Sequence, residues 1–121
     1  VHGMDGMDEI TLCDETLIHE LKDGAVISYK ITPEEFGFKR AFHLDIAGGD
    51  SVANASDLNA ILRGELKGAK RDIVVFNAMF ALYAADNVTN PKDAKSVVED
   101  ALDSGKTWAF WQDYLGNSRI S

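Results

Sequence analysis

Residues 73–83 limit the possible folds of this chain more than any other segment, because they are apolar on nearly every side of a predicted helix. The apolar members are Ile73, Val74, Val75, Phe76, Ala78, Met79, Phe80, Ala81, Leu82 and Tyr83. A helix without a polar face is stable only where other elements surround it. We therefore predict a helix that starts near Asp72 and lies at the centre of the fold; the β-branched residues at its start also allow a short strand there.

The first part of the chain carries β patterns over residues 10–31. Apolar and polar residues alternate in residues 26–31, a second run occupies residues 16–21, and Asp23-Gly24 lies between the two. An Asp-Gly pair in this position is a strong hairpin signal, because glycine supplies the positive φ of a tight turn. The opening residues 1–3 resemble the end of a strand that enters a glycine turn, so we expect the chain to be a piece of a longer protein.

Helix signals dominate the rest of the chain. Thr32-Pro33 predicts the start of one helical turn that ends at Gly37, and residues 38–49 have a loop-like composition. Further helices are predicted from Asp50 or Ser51 to about Arg63, from Asn90-Pro91 to just before Gly105, and from Lys106 to Leu115. A β-hairpin or small sheet followed by about four helices predicts an α+β fold class.

The charge balance restricts the partners of the chain. Twenty acidic residues against 12 basic ones give a net charge of -8, which disfavours binding to nucleic acid. No apolar run approaches the roughly 20 residues that span a bilayer, so no membrane association is expected. The single cysteine, Cys13, favours a reducing cytoplasmic location, and we interpret it as an unreactive strand residue.

Residues 2–9 hold the strongest candidate for chemistry. Three acids, Asp5, Asp8 and Glu9, are interleaved with two glycines, and Mg²⁺ takes one or two carboxylates together with water and substrate phosphates. Asp8-Glu9 fits that description, although an acidic surface turn is the more common explanation of such a segment.

Other polar and aromatic residues give weaker signals. The three histidines, His2, His19 and His43, lack metal-ligand spacing, and we interpret each as a surface or turn residue. Gly48-Gly49-Asp50 predicts a turn and a helix cap rather than an anion site. The aromatic residues 108–111 predict a packing face on the last helix.

The ordered set of short motifs resembles the anthranilate phosphoribosyltransferase family. The motifs are residues 2–9 (HGMDGMDE), 21–24 (LKDG), 31–37 (ITPEEFG), 48–50 with Asn54-Ala55, 68–83 with Lys70-Arg71-Asp72 and Asn77-Ala78, and 101–106 (ALDSGK). Leu66 departs from the family pattern as one extra residue, and residues 108–121 carry no motif that matches. Each motif is weak alone, but six in the same order are specific.

The resemblance implies a function and a site. It implies transfer of a phosphoribosyl group from phosphoribosyl pyrophosphate to anthranilate, in tryptophan biosynthesis, by an enzyme that is a homodimer. It also implies that Asp8 and Glu9 bind the Mg²⁺ that neutralises the leaving diphosphate. Asp5 would then contact the ligands and not the ion, and His2-Gly3 would be a structural turn.

The resemblance also implies that much of the enzyme lies outside this chain. We expect residues 1–121 to be a single C-terminal fragment of the larger α/β phosphoribosyltransferase domain, without the N-terminal helical domain. The phosphate loop and the anthranilate-binding residues are expected upstream, so no catalytic residue is assigned and the chain alone is expected to be inactive. Two alternatives stay open: a fragment of a pyrimidine nucleoside phosphorylase, and a non-enzymatic interaction domain that docks through its apolar helix.

Overall fold

A three-stranded antiparallel sheet occupies the first quarter of the computed structural model, which describes residues 1–118. Its strands are β1 (His2–Gly3), β2 (Thr16–Lys22) and β3 (Ala25–Ile31), in that spatial order. Lys22 pairs with Ala25 across a two-residue turn in which Asp23 has φ 51° and Gly24 has φ 78°. Positive φ at both positions defines the primed turn that matches strand twist, so the predicted hairpin is confirmed.

Residues 10–15 were expected to be β structure, and that prediction is wrong. The main chain of Ile10 is paired with the side chain of Asn77, and the Thr11 amide donates to Thr16 Oγ1 at 3.1 Å. These side chains satisfy the backbone groups that a strand would have paired in a ladder. Cys13 therefore lies in a bend between β1 and β2 and not in a strand.

Five α-helices follow the sheet within the described residues 1–118. They are α1 (His43–Ile46), α2 (Ser51–Leu62), α3 (Ala69–Ala84), α4 (Ala94–Asp103) and α5 (Lys106–Ser118), with 3-10 turns at Pro33–Phe36 and Pro91–Asp93. The α+β class is confirmed, as is the predicted turn closed by Gly37. Asn90 is a cap as predicted, but it caps the 3-10 turn Pro91–Asp93 that precedes α4, and α4 itself begins at Ala94. The structure differs from the prediction at α1, which was not predicted, at the starts of α3 and α4, and at the end of α5, which is Ser118 and not Leu115.

The differences at α1 and α3 have local causes. Residues 38–49 were predicted as loop throughout, but Asp45 accepts a hydrogen bond from the Phe42 amide at 2.9 Å and so starts the single turn of α1. Helix α3 begins at Ala69, ahead of the predicted start near Asp72. The Gly68 carbonyl accepts from the amides of Arg71 and Asp72, which extends the helix backwards.

Helix α3 lies at the centre of the core, as its apolar surface predicted. Val75, Phe76 and Met79 are fully buried, and the Phe76 ring packs on Phe36 and Phe38 with centroids 5.1 and 5.0 Å apart. The same buried cluster includes apolar residues before β2, in the sheet, in α2 and in α4, namely Ile10, Leu12, Ile18, Ile31, Ile61, Ala94, Val98 and Leu102. The burial removes the apolar surface of one side of α3 from water, which is the main stabilisation of the fold, whereas Val74 and Ala81 on another side stay exposed.

The last helix packs across the ends of α2 and α4. The Arg63 guanidinium lies 4.3 Å from the centre of the Trp108 ring, a cation–π contact that joins α2 to α5. Trp108 and Trp111 are half-buried, whereas Phe110 is exposed, so the predicted packing face includes the two tryptophans but not Phe110. No helix within residues 1–118 combines the length and the apolarity that crossing a membrane requires.

Candidate functional site

Residues 3–10 form a closed loop, here called the acid-pair loop, that links β1 to the core. The Gly3 amide donates to the Met7 carbonyl at 2.8 Å, and the Gly6 amide donates to the Gly3 carbonyl at 2.9 Å. Gly6 has φ 97°, a conformation that side-chain-bearing residues rarely adopt. The glycines of the predicted motif therefore serve the tight backbone path. His2-Gly3 is the short strand β1, as the opening residues predicted, and the turn that the resemblance implied at His2-Gly3 begins just after it.

Asp5 holds the inside of the acid-pair loop. Its side chain is only 5% exposed, and its carboxylate accepts hydrogen bonds from Thr11 Oγ1 at 2.6 Å and from the Met7 amide at 3.3 Å. A Cβ on Gly3 would lie 2.5 Å from Asp5 Oδ1, so only glycine leaves room for this carboxylate. The contacts give Asp5 a positioning role within the loop.

The far end of the acid-pair loop is fixed to α3. Asn77 accepts a hydrogen bond from the Ile10 amide at 2.9 Å and donates from its Nδ2 to the Ile10 carbonyl at 2.8 Å. The same amide nitrogen donates to the Ile73 carbonyl within the helix, which orients the side chain. Because Ile10 is buried and bonded to α3, residues 8 and 9 directly precede a residue that is fixed to the central helix.

Asp8 and Glu9 are exposed on this anchored loop. Within residues 1–118 neither carboxylate has a hydrogen bond or an ion pair with another side chain. The neighbouring acid pair, Asp14-Glu15, differs: Glu15 pairs with Lys30 at 2.8 Å and Asp14 with Arg40 at 3.6 Å. Exposed carboxylates without protein partners are suitable ligands for a hydrated hard cation. The magnesium role of Asp8 and Glu9 stays a prediction.

The structure brings together three residues that the sequence pattern left apart. One donor atom each of Asp5, Cys13 and His43 lies within 4.8 Å of the others, and His43 Nε2 is 3.8 Å from Asp5 Oδ2. Burial, with the nearby charges of Asp5 and Asp45, raises the pKa of the Cys13 thiol, which agrees with its predicted lack of reactivity. No spacing signal could reveal this cluster, because its members come from three separate segments.

The other two histidines lie elsewhere. His19 is exposed on β2, where its Nδ1 is 2.7 Å from Ser28 Oγ across the hairpin, and His2 is exposed on β1. Both agree with the prediction of surface residues. At the start of α2, the Asp50 side chain accepts from the Ala53 amide and Asn54 accepts from the Gly49 amide, so the predicted turn and helix cap are confirmed.

A second polar cluster connects the hairpin to α3. Glu20 accepts hydrogen bonds from Tyr83 at 2.6 Å and from Tyr29 at 3.0 Å. These contacts hold the pKa of Glu20 below its ordinary value, the bond from Tyr83 having the largest effect, whereas burial and the Glu20 carboxylate raise the pKa of Tyr29 to about 12. The cluster lines an open groove of about 720 Å³ that does not include the acid pair. No local sequence pattern indicates this cluster, because its members lie on three separate elements.

Comparison with known proteins places the chain in a family. Residues 1–108 match the profile described as "Glycosyl transferase family, a/b domain". The matched part includes the acid-pair loop, the sheet and α1 to α4, and it ends at the start of α5.

Curated relatives and a solved structure agree with each other. The chain is 54% identical over 105 residues to "Anthranilate phosphoribosyltransferase" of Methanococcoides burtonii, covering 87% of this chain and 29% of the relative. It is 54% identical over 114 residues to the protein of the same name from Methanosarcina barkeri, covering 94% of this chain and 31% of that relative. The crystal structure of anthranilate phosphoribosyltransferase from Thermus thermophilus superposes with a TM-score of 0.84 at 32% identity, covering 93% of this chain and 33% of that one.

The chain thus spans about three tenths of the length of the curated relatives it matches. The names of these relatives agree with the resemblance inferred from the sequence motifs. They do not favour either a pyrimidine nucleoside phosphorylase or a non-enzymatic interaction domain.

Proposed function

The chain belongs to the glycosyl transferase family, a/b domain, and from that premise we propose that it forms part of an anthranilate phosphoribosyltransferase. The whole protein transfers the phosphoribosyl group of phosphoribosyl pyrophosphate to the amine of anthranilate and releases pyrophosphate, in tryptophan biosynthesis. Support comes from relatives of that name at 54% identity and from the solved structure at 32% identity.

The observation that carries the proposal for this chain is the acid pair on its anchored loop. Asp8 and Glu9 are exposed and have no protein partner in residues 1–118, while Asn77 and Asp5 hold the loop on both sides. Carboxylates presented in this way would hold Mg²⁺ through one or two oxygens and leave other positions for water and phosphate. When bound, Mg²⁺ would neutralise the charge that develops on the departing diphosphate.

A related enzyme has been solved with the proposed ligands. The structure of anthranilate phosphoribosyltransferase from Saccharomyces cerevisiae "in complex with PRPP and Mg" has the same fold over 89% of this chain, with a TM-score of 0.77 and 21% identity. What that title describes belongs to the yeast enzyme. It supports Mg²⁺ and phosphoribosyl pyrophosphate as the ligands to test first in the protein that contains this chain.

The remaining parts of the proposal concern the whole enzyme. We infer that residues 1–121 supply the C-terminal part of the a/b domain, with residues 119–121 lying outside those that the structure describes. Substrate-binding groups then come from the rest of the protein, which we infer to be a homodimer. A cytoplasmic location is supported by the single cysteine, which is typical of a reducing compartment.

The test is the combined change Asp8→Asn and Glu9→Gln in the intact enzyme. Both amides keep the shape of the carboxylates and remove their charge. We expect kcat for anthranilate to fall by at least about a hundredfold, as for loss of a group that stabilises developing charge, while the KM for anthranilate changes little. Steady-state kinetics over a range of Mg²⁺ concentrations measures both effects.

The chain contains a matched control for this experiment. Asp14→Asn with Glu15→Gln changes an adjacent acid pair of the same composition, but one that is occupied in ion pairs with Arg40 and Lys30. This variant is expected to retain kcat and its dependence on Mg²⁺. Unchanged turnover in the Asp8 and Glu9 variant, or equal losses in both variants, would remove the magnesium role. Phosphoribosyl transfer by residues 1–121 alone would contradict the proposal that other parts of the enzyme supply substrate-binding groups.

A further inference from the structure

We propose that Asp5, Cys13 and His43 form a binding site for a transition-metal ion of the Zn²⁺ type, distinct from the magnesium site assigned to Asp8 and Glu9. One carboxylate oxygen, one sulfur and one imidazole nitrogen lie within 4.8 Å of one another. Donor atoms on a tetrahedral zinc are separated by roughly 3.3–3.8 Å, given the usual metal–ligand lengths. Small side-chain rotations would therefore bring all three donors onto one ion.

Two of the three ligands are already held in place by Thr11. Its hydroxyl donates to Asp5 Oδ2 at 2.6 Å and accepts from the Cys13 amide at 2.9 Å. Thr11 is itself buried, with its amide bonded to Thr16, so this connection is rigid. Metal-binding carboxylates are commonly oriented by such outer hydrogen bonds, which raise the affinity of the site.

The third ligand, His43, is brought to the pair by backbone contacts. The Ala41 amide donates to the Leu12 carbonyl at 2.9 Å, which fixes residues 41–43 beside the bend that contains Cys13. His43 is the first residue of α1, and its side chain is 65% exposed. The imidazole can therefore rotate toward the other two donors without any repacking of the core, and the open side leaves a position for water.

The charge and the donor types indicate which ion fits. Two acidic side chains, Asp5 and Asp45, and one basic side chain, Arg40, act on the Cys13 thiol, so negative charge is in excess at the cluster and favours a cation. Sulfur and imidazole ligands suit Zn²⁺, whereas Mg²⁺ takes oxygen ligands almost exclusively. The two metal sites are thus expected to discriminate between ions by donor chemistry. Binding of the metal would release the thiol proton, because a coordinated cysteine is a thiolate.

Zinc protection of the thiol tests the proposal directly on the 121-residue chain. Cys13 is the only cysteine, so its alkylation rate reports on this site alone. We expect stoichiometric Zn²⁺ to slow alkylation by at least about tenfold in the presence of excess Mg²⁺, and Co²⁺ to give a thiolate-to-metal absorption band. An unchanged alkylation rate and the absence of that band would overturn the site.

Variants assign the ligands. His43→Ala is expected to lower the zinc affinity by at least about tenfold and to reduce the protection of Cys13, and Cys13→Ser is expected to remove the cobalt band. His19→Ala changes an exposed histidine on the hairpin and should leave both readouts intact. Asp8→Asn with Glu9→Gln should also leave zinc binding intact. Equal affinity of the wild type and the His43 variant, or loss only in the Asp8 and Glu9 variant, would contradict the assignment.

Discussion

At the scale of single residues, Gly3 shows how one missing side chain permits the acid-pair loop. A Cβ at this position would lie 2.5 Å from Asp5 Oδ1, 3.1 Å from Thr11 Cγ2 and 3.2 Å from Met7 Cβ. Asp5 and Met7 belong to the hydrogen-bonded acid-pair loop, and Thr11 is buried next to it, so none of the three atoms can move without a loss elsewhere. The conformation of Gly3 is open to any residue, and only the lack of space demands glycine.

We therefore predict that Gly3→Ala destabilises the protein by about 1–3 kcal/mol, the range for overpacking a filled site. Urea unfolding followed by circular dichroism measures the change. Gly116→Ala is the control, because a Cβ on that exposed position of α5 meets nothing within 4 Å. The control is expected to be neutral or to stabilise by about 0.5–1 kcal/mol. Equal stability of the Gly3 variant and the wild type would show that the loop can move away.

The two acid pairs show a further point at the residue scale. Asp8-Glu9 and Asp14-Glu15 have the same composition and lie six positions apart. Lys30 and Arg40 neutralise the second pair, and within residues 1–118 no basic side chain does so for the first. The difference arises from residues 15 or more positions away, so the local sequence could not reveal which pair is free to bind an ion.

At the scale of elements, the hairpin is joined to α3 by the cluster of Glu20, Tyr29 and Tyr83. Tyr83 donates from α3 to the carboxylate on β2, and Tyr29 donates to it from β3. Beyond this cluster the hairpin extends away from the core, and Leu21 and Val26 are 75% and 66% exposed. The docking of the outer hairpin therefore depends on hydrogen bonds more than on apolar burial.

This arrangement predicts two changes of stability with pH. The pKa of Glu20 is lowered in the folded state. Its contribution to the free energy of unfolding is therefore present above its ordinary pKa of 4.5 and is lost as the pH falls through its lowered pKa. The pKa of Tyr29 is raised from 10 to about 12, so its contribution is present below pH 10 and is lost as the pH rises toward 12.

The Tyr29→Phe variant tests the alkaline change, with unfolding free energies measured from neutral pH to pH 12. We expect the wild type to lose stability more steeply than the variant above pH 10. Tyr114→Phe is the control, since its hydroxyl has no hydrogen bond within residues 1–118 and its ring stacks on Trp111. Parallel curves for the wild type and the Tyr29 variant would mean that folding does not change the pKa of this hydroxyl.

At the scale of the whole molecule, a large amount of apolar surface remains exposed. Phe42, Leu44, Val52 and Phe110 are 81%, 88%, 77% and 71% exposed. Single exposed apolar residues are normal, but this many large ones in 118 described residues indicate surfaces that favour association. The chain also spans only about three tenths of the length of its relatives, which leaves the covering of these surfaces to other parts of such proteins.

We predict that the 121-residue chain self-associates in solution. The net charge of -8 opposes association, so sulfate should strengthen it by screening this repulsion and by strengthening apolar contacts. Sedimentation velocity over a range of concentrations measures the effect. Phe42→Ser with Leu44→Ser is expected to shift the equilibrium toward the monomer. A single monomeric species at every concentration would contradict the prediction.

Much of the fold could be read from the sequence because its signals are local. The Asp23-Gly24 turn, the Asn90 cap, the Asp50 cap and the apolar surface of α3 each depend on neighbours within a few positions. Turn geometry, capping and the burial of a one-sided or all-round apolar helix follow from such short patterns. The same holds for the glycines and acids of residues 2–9, which identified the acid-pair loop as the candidate site.

The features that depend on contacts between distant segments were decided only by the tertiary structure. It placed Cys13 in a bend because Asn77 and Thr16 take over the hydrogen bonds of the preceding residues, and it brought His43 to Asp5 through the contact between Ala41 and Leu12. It also separated the acid pair that is neutralised from the one that is exposed. These outcomes depend on which distant segments pack together, and the free energy of that packing is a property of the whole core.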